Sequence, residues 1–245
     1  MNQPVESAPA GAPATGAAAA LLKVLFEPRK TFEALKPKAP WILPLLVFFL
    51  AVGAFTWVNW PQLVDQRIEA FRNSDRLAPE RKAELLTGME ESRENPGAKD
   101  LIPGPLFAVV FSLLGAALWL LIGNVVAGGD GTFRQLWSAF TYAGMVLVVE
   151  MILKTAMIQM KKSADVYTSL ALVAPDLDSK GFVFRALDAV DVFSIWFFLV
   201  MGTGVSVMCR VKPQKAMTVS LVAFAVWAIG IKAGLGSVLG GFLGM

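Results

Sequence analysis

Long apolar runs, each close to twenty residues, alternate with short charged stretches along most of the chain. An α-helix rises about 1.5 Å per residue, so roughly twenty apolar residues can cross the ~30 Å hydrocarbon layer of a membrane. The pattern therefore predicts an all-α membrane protein, built as a bundle of five transmembrane helices. The predicted spans are residues 41–60, 106–126, 138–160, 192–209 and 216–243.

The segment between the first two predicted spans has a different composition. Residues 61–102 contain seven basic and nine acidic side chains and several prolines. Pro79 followed by Glu80 is typical of the first turn of a helix, and apolar residues such as Leu86 and Met89 recur after it. We expect a helical extracytoplasmic insertion whose apolar strip faces the membrane surface or a partner. A solvated spacer is the alternative.

The first forty residues divide into two parts. Residues 1–20 are mostly Ala, Pro, Gly and Thr with a single charge, which predicts a disordered tail that stays attached to the chain. In residues 21–40 apolar positions at helical spacing alternate with basic ones, which predicts a cytoplasmic interfacial segment. Lys23, Arg29 and Lys30 either contact lipid headgroups or form a basic flank that holds this end in the cytoplasm.

Composition supports a membrane location and limits the possible chemistry. Apolar residues make up 56% of the chain and charged residues 17%, against roughly 45–50% and about 25% in soluble domains. The mean hydropathy is +0.59. With no histidine and one cysteine, the chain lacks imidazole-based catalytic units and histidine-ligated metal sites. We therefore expect no enzymatic activity, no cofactor and no metal. The net charge of +3 is spread over short stretches, so nucleic acid is not an expected partner.

The charges outside the apolar runs predict the orientation. If the N-terminus is cytoplasmic, the cytoplasmic segments carry nine basic and four acidic residues. Such a basic excess is typical of the cytoplasmic side of a membrane. Since the number of predicted spans is odd, the C-terminus is then extracytoplasmic.

Ionisable residues within or beside the spans are predicted to lie at similar depth. Glu150 and Lys154 are four residues apart with the acid first, which is the favourable order for an ion pair on a helix. An unpaired charge inside a membrane is costly, so we expect a polar cluster. This cluster either fixes helix packing or forms a functional site for an ion or proton, as in a small transporter or channel. Its members are Glu150, Lys154, Asp191 and Lys232.

Small residues one helical turn apart occur in the last two predicted spans. Such residues let helix backbones approach closely within a membrane. They pack helices either within one molecule or against a second copy or another membrane protein. The positions concerned are Gly202, Ser206, Gly230, Gly234, Gly236 and Gly240.

Three stretches of the chain resemble bacterial Yip1-domain proteins, and together they extend over roughly residues 24–230. They are Leu-Phe-Glu-Pro-Arg-Lys-Thr-Phe at residues 25–32 with Pro40, Trp41 and Pro44 after it, Gly-Gly-Asp-Gly-Thr-Phe-Arg-Gln-Leu at residues 128–136 with Tyr142 after it, and Asp-Val-Phe-Ser-Ile-Trp at residues 191–196.

The resemblance implies a small helical membrane protein with a cytoplasmic N-terminus and no recognised catalytic residues. Eukaryotic members of the family are linked to Rab GTPases, and some bacterial members accompany ABC-type exporters. This chain lacks the eukaryotic Asp-Leu-Tyr-Gly-Pro motif and carries the insertion at residues 61–102, which argues against a Rab partner. We therefore expect a non-enzymatic accessory, scaffold or assembly protein of the bacterial inner membrane. Its expected partners are the lipid bilayer and either a second copy or another membrane protein.

Overall fold

The computed structural model describes residues 16–72, 79–173, 177 and 181–235. In this part of the chain all regular structure is helical, apart from one isolated β-bridge between Ser169 and Asp191. The predicted all-α class is confirmed for these residues. The α-helices are α1 Ala17–Phe26, α2 Pro28–Leu35, α3 Ile42–Val58, α4 Trp60–Arg72, α5 Pro79–Glu94, α6 Ala98–Leu101, α7 Pro103–Leu121, α8 Phe133–Ala143, α9 Met145–Lys161, α10 Phe182–Ala189, α11 Val192–Met208 and α12 Pro213–Ala225. Helices α7 and α12 continue as π-helical turns at Ile122–Val126 and Val226–Leu235, and a 3₁₀ turn lies at Leu170–Val173.

Helix α1 begins before the predicted end of the N-terminal tail. Ala20 and Val24 are fully buried, and the Tyr142 hydroxyl donates a hydrogen bond to the Ala17 carbonyl oxygen at 3.2 Å. Alanine has the highest helix propensity and is small enough for close packing. Residues 17–20 are therefore helical and packed against the bundle, whereas residues 1–15 of the predicted tail lie outside the described residues.

The chain turns at Glu27 and continues as α2, with Pro28 at the first helical position. Pro is favoured there because the missing N–H would have no partner within the helix. Phe32 is fully buried against Gly204 of α11, while Phe26 at the end of α1 is 80% exposed. The predicted interfacial segment thus packs one face on the bundle and leaves apolar side chains on its outer face.

Helix α3 of the first predicted span ends at Val58, and after a bend at Asn59 the chain continues as helix α4. Helices α3 and α4 meet at an angle of 68°. Asn59, between them, is fully buried, and its Nδ2 donates to the Phe55 carbonyl at 2.8 Å and to Thr155 Oγ1 at 3.0 Å. Gln159 Nε2 donates to Asn59 Oδ1 at 3.1 Å. Asn59 thereby fastens the bend to α9.

Helices α4 and α5 pack against each other in the segment predicted as an insertion. Trp60 and Ile68 are buried there, with Leu86 and Met89 against them. Part of the predicted apolar strip is therefore covered by the neighbouring helix. Across the same contact Arg93 pairs with Asp65 at 2.6 Å, and this hydrogen-bonded carboxylate raises the pKa of the Arg93 guanidinium.

Two helical segments among the described residues are long and apolar enough to cross a membrane, Ala98–Val126 and Phe133–Lys161. They contain the second and third predicted spans. The bent pair α3 and α4 is a third candidate if it is counted as one span, and α11 is an apolar helix of 17 residues. Exposed side chains on α7 such as Phe107 and Leu114 are apolar, as expected of a lipid-facing surface.

Helix α11 lies at the centre of the packing, against α2, α8, α9 and α12. Its buried residues include Phe197, Met201 and Val205. The ring of Phe197 meets Phe140 of α8 edge-on with 5.5 Å between centroids, and Phe198 meets Phe224 of α12 at 5.3 Å. Aromatic pairs in this geometry add to the stabilisation from burial.

Three connections meet at one end of the bundle, which we call the basic end: those between α2 and α3, α7 and α8, and α11 and α12. Arg210 after α11 pairs with Asp130 before α8 at 2.7 Å. Arg134 Nε on α8 donates to the Ala39 carbonyl before α3 at 3.4 Å. The start of α3, the end of α7 and the end of α11 therefore lie together.

Other helix ends meet at the opposite end. Gln159 Nε2 near the end of α9 donates to the Val58 carbonyl at the end of α3 at 3.1 Å. Leu170 N donates to the Val190 carbonyl just before α11 at 3.0 Å. Helices α3, α7, α8–α9 and α11 consequently alternate in direction between the two ends.

Candidate functional site

Two of the four predicted cluster residues form an ion pair on α9. Lys154 Nζ lies 2.5 Å from Glu150 Oε1, and the two side chains are 30% and 13% exposed. The pair arises from the four-residue spacing, since residues i and i+4 lie on the same face of a helix. The positive charge of Lys154 and the negative charge of Glu150 therefore lie beside each other, within a helical segment long enough to cross a membrane.

A third predicted member, Asp191, has a different role. Asp191 is buried and caps the N-terminus of α11, where its Oδ1 accepts hydrogen bonds from the backbone N–H groups of Phe193 at 2.7 Å and Ser194 at 2.9 Å. Capping satisfies backbone donors that have no partner in the first turn. Lys232 lies in the π-helical turn after α12, and its side chain is outside the described part of the chain.

The small residues of α11 have packing roles. A Cβ added at Gly202 would lie 2.9 Å from Ser220 Cβ of α12, so this glycine permits close approach of the two helices. Ser206 Oγ donates to the Val211 carbonyl at 2.8 Å and closes the turn between them. Gly230 has open space beside it. Gly234 lies in the described backbone after α12, and Gly236 and Gly240 lie outside the described residues.

A cleft runs between α2 and the α11–α12 turn at the basic end, and we call it the basic groove. It consists of two adjoining hollows of about 470 and 330 Å³ that share Arg29, Ser206, Val207 and Pro213. The larger hollow reaches between Phe26 and Met217. The walls are therefore contributed by residues about 170 to 190 positions apart in sequence.

The charges of the basic groove come mostly from α2. Arg29 pairs with Glu33 and Lys30 with Glu27, both at 3.0 Å. Arg29 and Lys30 side chains remain 64% and 80% exposed, so most of their N–H donors are free for another ligand. Lys23, the third predicted headgroup contact, lies exposed on α1 and does not line the groove.

Lys36 and Arg210 complete the charged lining and were not among the predicted site residues. Lys36 Nζ donates to the Val207 carbonyl at 2.5 Å, one of the last carbonyls of α11, which have no partner within the helix. Arg210 follows α11 with a left-handed backbone, φ +57°. The only sequence signal for either is its place in the basic flanks of predicted spans.

The glycine-rich motif that begins at Gly128 brings the α7–α8 and α11–α12 connections together at the basic end. Asn124 bonds both backbone groups of Gly131, donating to its carbonyl at 2.7 Å and accepting from its N–H at 2.8 Å. Asp130 N donates to the Cys209 carbonyl at 3.1 Å. A Cβ at Gly129 would lie 2.6 Å from that same carbonyl oxygen, so the contact requires glycine.

The aspartate-to-tryptophan motif of α11 joins that helix to α1. Trp196 Nε1 donates to the Leu25 carbonyl at 3.3 Å, and its ring lies 6.3 Å from that of Phe26. This hydrogen bond satisfies one of the last carbonyls of α1. The first and third of the three sequence stretches are therefore in direct contact.

Among the described residues, no group of three or more cysteine or carboxylate side chains could hold a metal ion. The residues that the motifs contribute cap helices, close turns and bring backbones together. The described residues are helical and include membrane-length apolar helices with exposed apolar side chains, which is the character of a helical membrane protein.

A sequence model of the Yip1 domain matches residues 22–234 of the 245. The chain belongs to the Yip1 family, as the resemblance of its three motifs predicted. A search of the curated proteins finds no match, and neither does a search of the solved structures.

Proposed function

We propose that this Yip1-family chain is a non-enzymatic multi-pass membrane protein that serves as an accessory, scaffold or assembly factor for a membrane complex. An ABC-type exporter is the candidate complex that the family resemblance suggests. The observation that carries the proposal is that polar groups within the apolar helices bond to one another, Glu150 to Lys154 and Asn59 to Thr155. Such bonds fix helix packing, which a scaffold requires.

The proposed topology has five spans, residues 41–60, 106–126, 138–160, 192–209 and 216–243, in the bacterial inner membrane. The N-terminus is cytoplasmic and the C-terminus extracytoplasmic, with the insertion at residues 61–102 outside. The alternating direction of α3, α7, α8–α9 and α11 supports this arrangement. The basic side chains of the α2–α3 connection, Lys36 and Lys38, and of the α11–α12 connection, Arg210 and Lys212, support a cytoplasmic location for that end.

Purification of the full chain from its native membranes in mild detergent tests the scaffold role. We expect a second membrane protein or a second copy of the chain in stoichiometric amount. To find which face of the chain the partner covers, single cysteines are then introduced at Leu50 on α3 and at Leu114 on α7. These two positions are 58% and 65% exposed. The covered position gains reactivity when the complex is dissociated, while the lipid-facing one is unchanged. Recovery of the chain alone, as a monomer, contradicts the proposal.

A small transporter or channel is the second candidate, because Glu150 and Lys154 are partly exposed within a membrane-length helix. Together with Lys232 they would form its polar cluster. Flux across proteoliposomes that is lost on changing Glu150→Gln, at equal protein incorporation, favours this function. Thr203→Val, which removes a hydroxyl bonded only within α11, is the matched control.

A further inference from the structure

The basic groove combines an apolar wall with a cationic rim. Phe26, Val207, Pro213 and Met217 line it with apolar atoms, while Arg29 and Lys30 stand at its edge. A site of several hundred Å³ with apolar walls and a few charged groups is typical of small-molecule binding. This combination suits an amphiphile better than a fully polar ion.

The net charge of the groove lining is positive. Four cations, Arg29, Lys30, Lys36 and Arg210, line the groove with two carboxylates, Glu27 and Glu33. Arg210 also pairs with Asp130 just outside the lining, so three carboxylates oppose the four cations and one positive charge remains in excess. Exposed ion pairs one turn apart on a helix contribute less than about 1 kcal/mol. A phosphate group can therefore replace the carboxylates as a partner of Arg29 and Lys30, and the excess of cations selects an anionic ligand.

The surroundings of the groove point to a lipid as the source of that phosphate. Leu22 and Phe26 on the outer face of α1 are 70% and 80% exposed, although both are apolar. Leu221, one turn beyond Met217 on the same face of α12, is 43% exposed. The groove therefore continues into a surface of exposed apolar side chains, where an acyl chain can lie.

We propose that the basic groove binds one anionic phospholipid. Its phosphate contacts Arg29 and Lys30, and one acyl chain passes between Phe26 and Met217 along α12. The bound lipid fills the space between α2 and the α11–α12 turn and fastens the N-terminal helices to the bundle. Lys36, which already bonds the Val207 carbonyl, holds the groove in shape.

Native mass spectrometry of the purified full chain in neutral detergent tests the proposal. We expect one phosphatidylglycerol to bind tightly and phosphatidylcholine to bind far more weakly. The double variant Arg29→Gln, Lys30→Gln should weaken phosphatidylglycerol binding by about thirtyfold, since each of the two cations near an anionic lipid contributes about 1 kcal/mol and every 1.4 kcal/mol is a factor of ten. Thr203 of α11 also lines the larger hollow. Thr203→Phe, whose larger side chain fills the groove and keeps its charges, should abolish binding.

The matched control is the double variant Arg81→Gln, Lys82→Gln on α5, an adjacent basic pair whose arginine also has an acidic partner one turn away. It should leave phosphatidylglycerol binding unchanged. Equal losses in the two double variants would mean nonspecific charge attraction and would overturn the proposal. Binding of glycerol 3-phosphate as tight as that of the whole lipid would also overturn it, because the acyl chain would then have no part.

A photoreactive side chain in place of Met217 provides a second measurement in native membranes. We expect an adduct with the mass of an anionic phospholipid, lost in the Thr203→Phe variant. An adduct to a second copy of the chain or to another protein would show that a protein occupies the groove and would overturn the proposal.

Discussion

Cys209 is the only cysteine of the chain, and it is fully buried beside three glycines at the basic end. A Cβ at Gly123 or Gly131 would lie 2.6 Å from its Sγ, and one at Gly129 would lie 2.5 Å from its Cβ. The glycine motif found in the sequence thus has a physical cause, the close approach of the α7–α8 connection to the end of α11.

Gly129→Ala should destabilise the fold by about 1–3 kcal/mol, the usual cost of overpacking. The new methyl group would meet the backbone oxygens of Cys209 and Gly123 at 2.6 and 2.8 Å, and backbone cannot move aside as a flexible side chain can. Thermal unfolding is measured with a thiol-reactive fluorophore, because Cys209 becomes reactive only when the fold opens.

Gly88→Ala on α5 is the matched control, since nothing lies within 4 Å of a Cβ added there. Alanine is favoured over glycine in a helix by roughly 1 kcal/mol, so this variant should melt at the same temperature or slightly higher. If Gly129→Ala melts like Gly88→Ala, the α7–α8 connection does not pack as described.

The half-buried hydroxyl of Thr155 accepts the hydrogen bond that fastens the α3–α4 bend to α9. Thr155→Val removes this acceptor and leaves a buried amide donor of Asn59 with one partner fewer, so it should cost about 1–2 kcal/mol. Thr203→Val is again the control, because the Thr203 hydroxyl bonds only to Leu199 of its own helix. Equal melting temperatures for the two variants would contradict a stabilising role for the Asn59 contact.

At the scale of helices, the ion pair of α9 should behave as a coupled unit. Glu150→Gln leaves the Lys154 ammonium without its partner at a site 30% exposed, and should lower stability by about 1–3 kcal/mol. Lys154→Met added to that variant should restore part of the loss, because no unpaired charge then remains.

A double-mutant cycle over these two positions, measured by thermal unfolding in detergent, quantifies the coupling. Strictly additive losses would show that the pair contributes nothing as a pair. Unchanged stability in both single variants would show that the charges reach the headgroup region independently.

Helix positions were predictable from sequence where the apolar runs were long, as the helices Ala98–Val126 and Phe133–Lys161 show. Helix boundaries that depend on a single tertiary contact were not predictable from the sequence. The bend at Asn59 depends on Thr155 and Gln159, about a hundred residues away, and the start of α1 depends on packing that the alanine-rich sequence does not reveal. A polar residue near the end of an apolar run was the one available signal for Asn59.

The candidate site was predictable only in part, for the same reason. Arg29 and Lys30 were identified from the basic interfacial pattern, but the opposite wall of the groove comes from α11 and α12, far along the chain. The sequence places Asp191 with Glu150 by depth alone, whereas hydrogen bonds from the backbone N–H groups of Phe193 and Ser194 make Asp191 a helix cap. Depth along a span does not fix the direction in which a side chain points.

At the scale of the whole molecule, the contacts at the two ends limit how the chain can cross a membrane. The start of α3 and the ends of α7 and α11 lie together at the basic end, while the ends of α3 and α9 meet at the opposite end. If the basic end is cytoplasmic, the α4–α5 pair is outside and α12 leads the chain outward again. Both sides of the membrane then offer exposed residues for labelling.

The last prediction tests this topology with two single substitutions, Arg81→Cys on α5 and Lys212→Cys before α12, both at exposed positions. The native Cys209 is fully buried, so the unsubstituted chain is the unlabelled control. In intact cells a membrane-impermeant maleimide should label the Arg81→Cys variant. The Lys212→Cys variant should be labelled only after the membrane is opened. A reporter fused after Met245 should be extracytoplasmic. Labelling of Lys212→Cys in intact cells, or a cytoplasmic reporter at Met245, would contradict five spans with a cytoplasmic N-terminus.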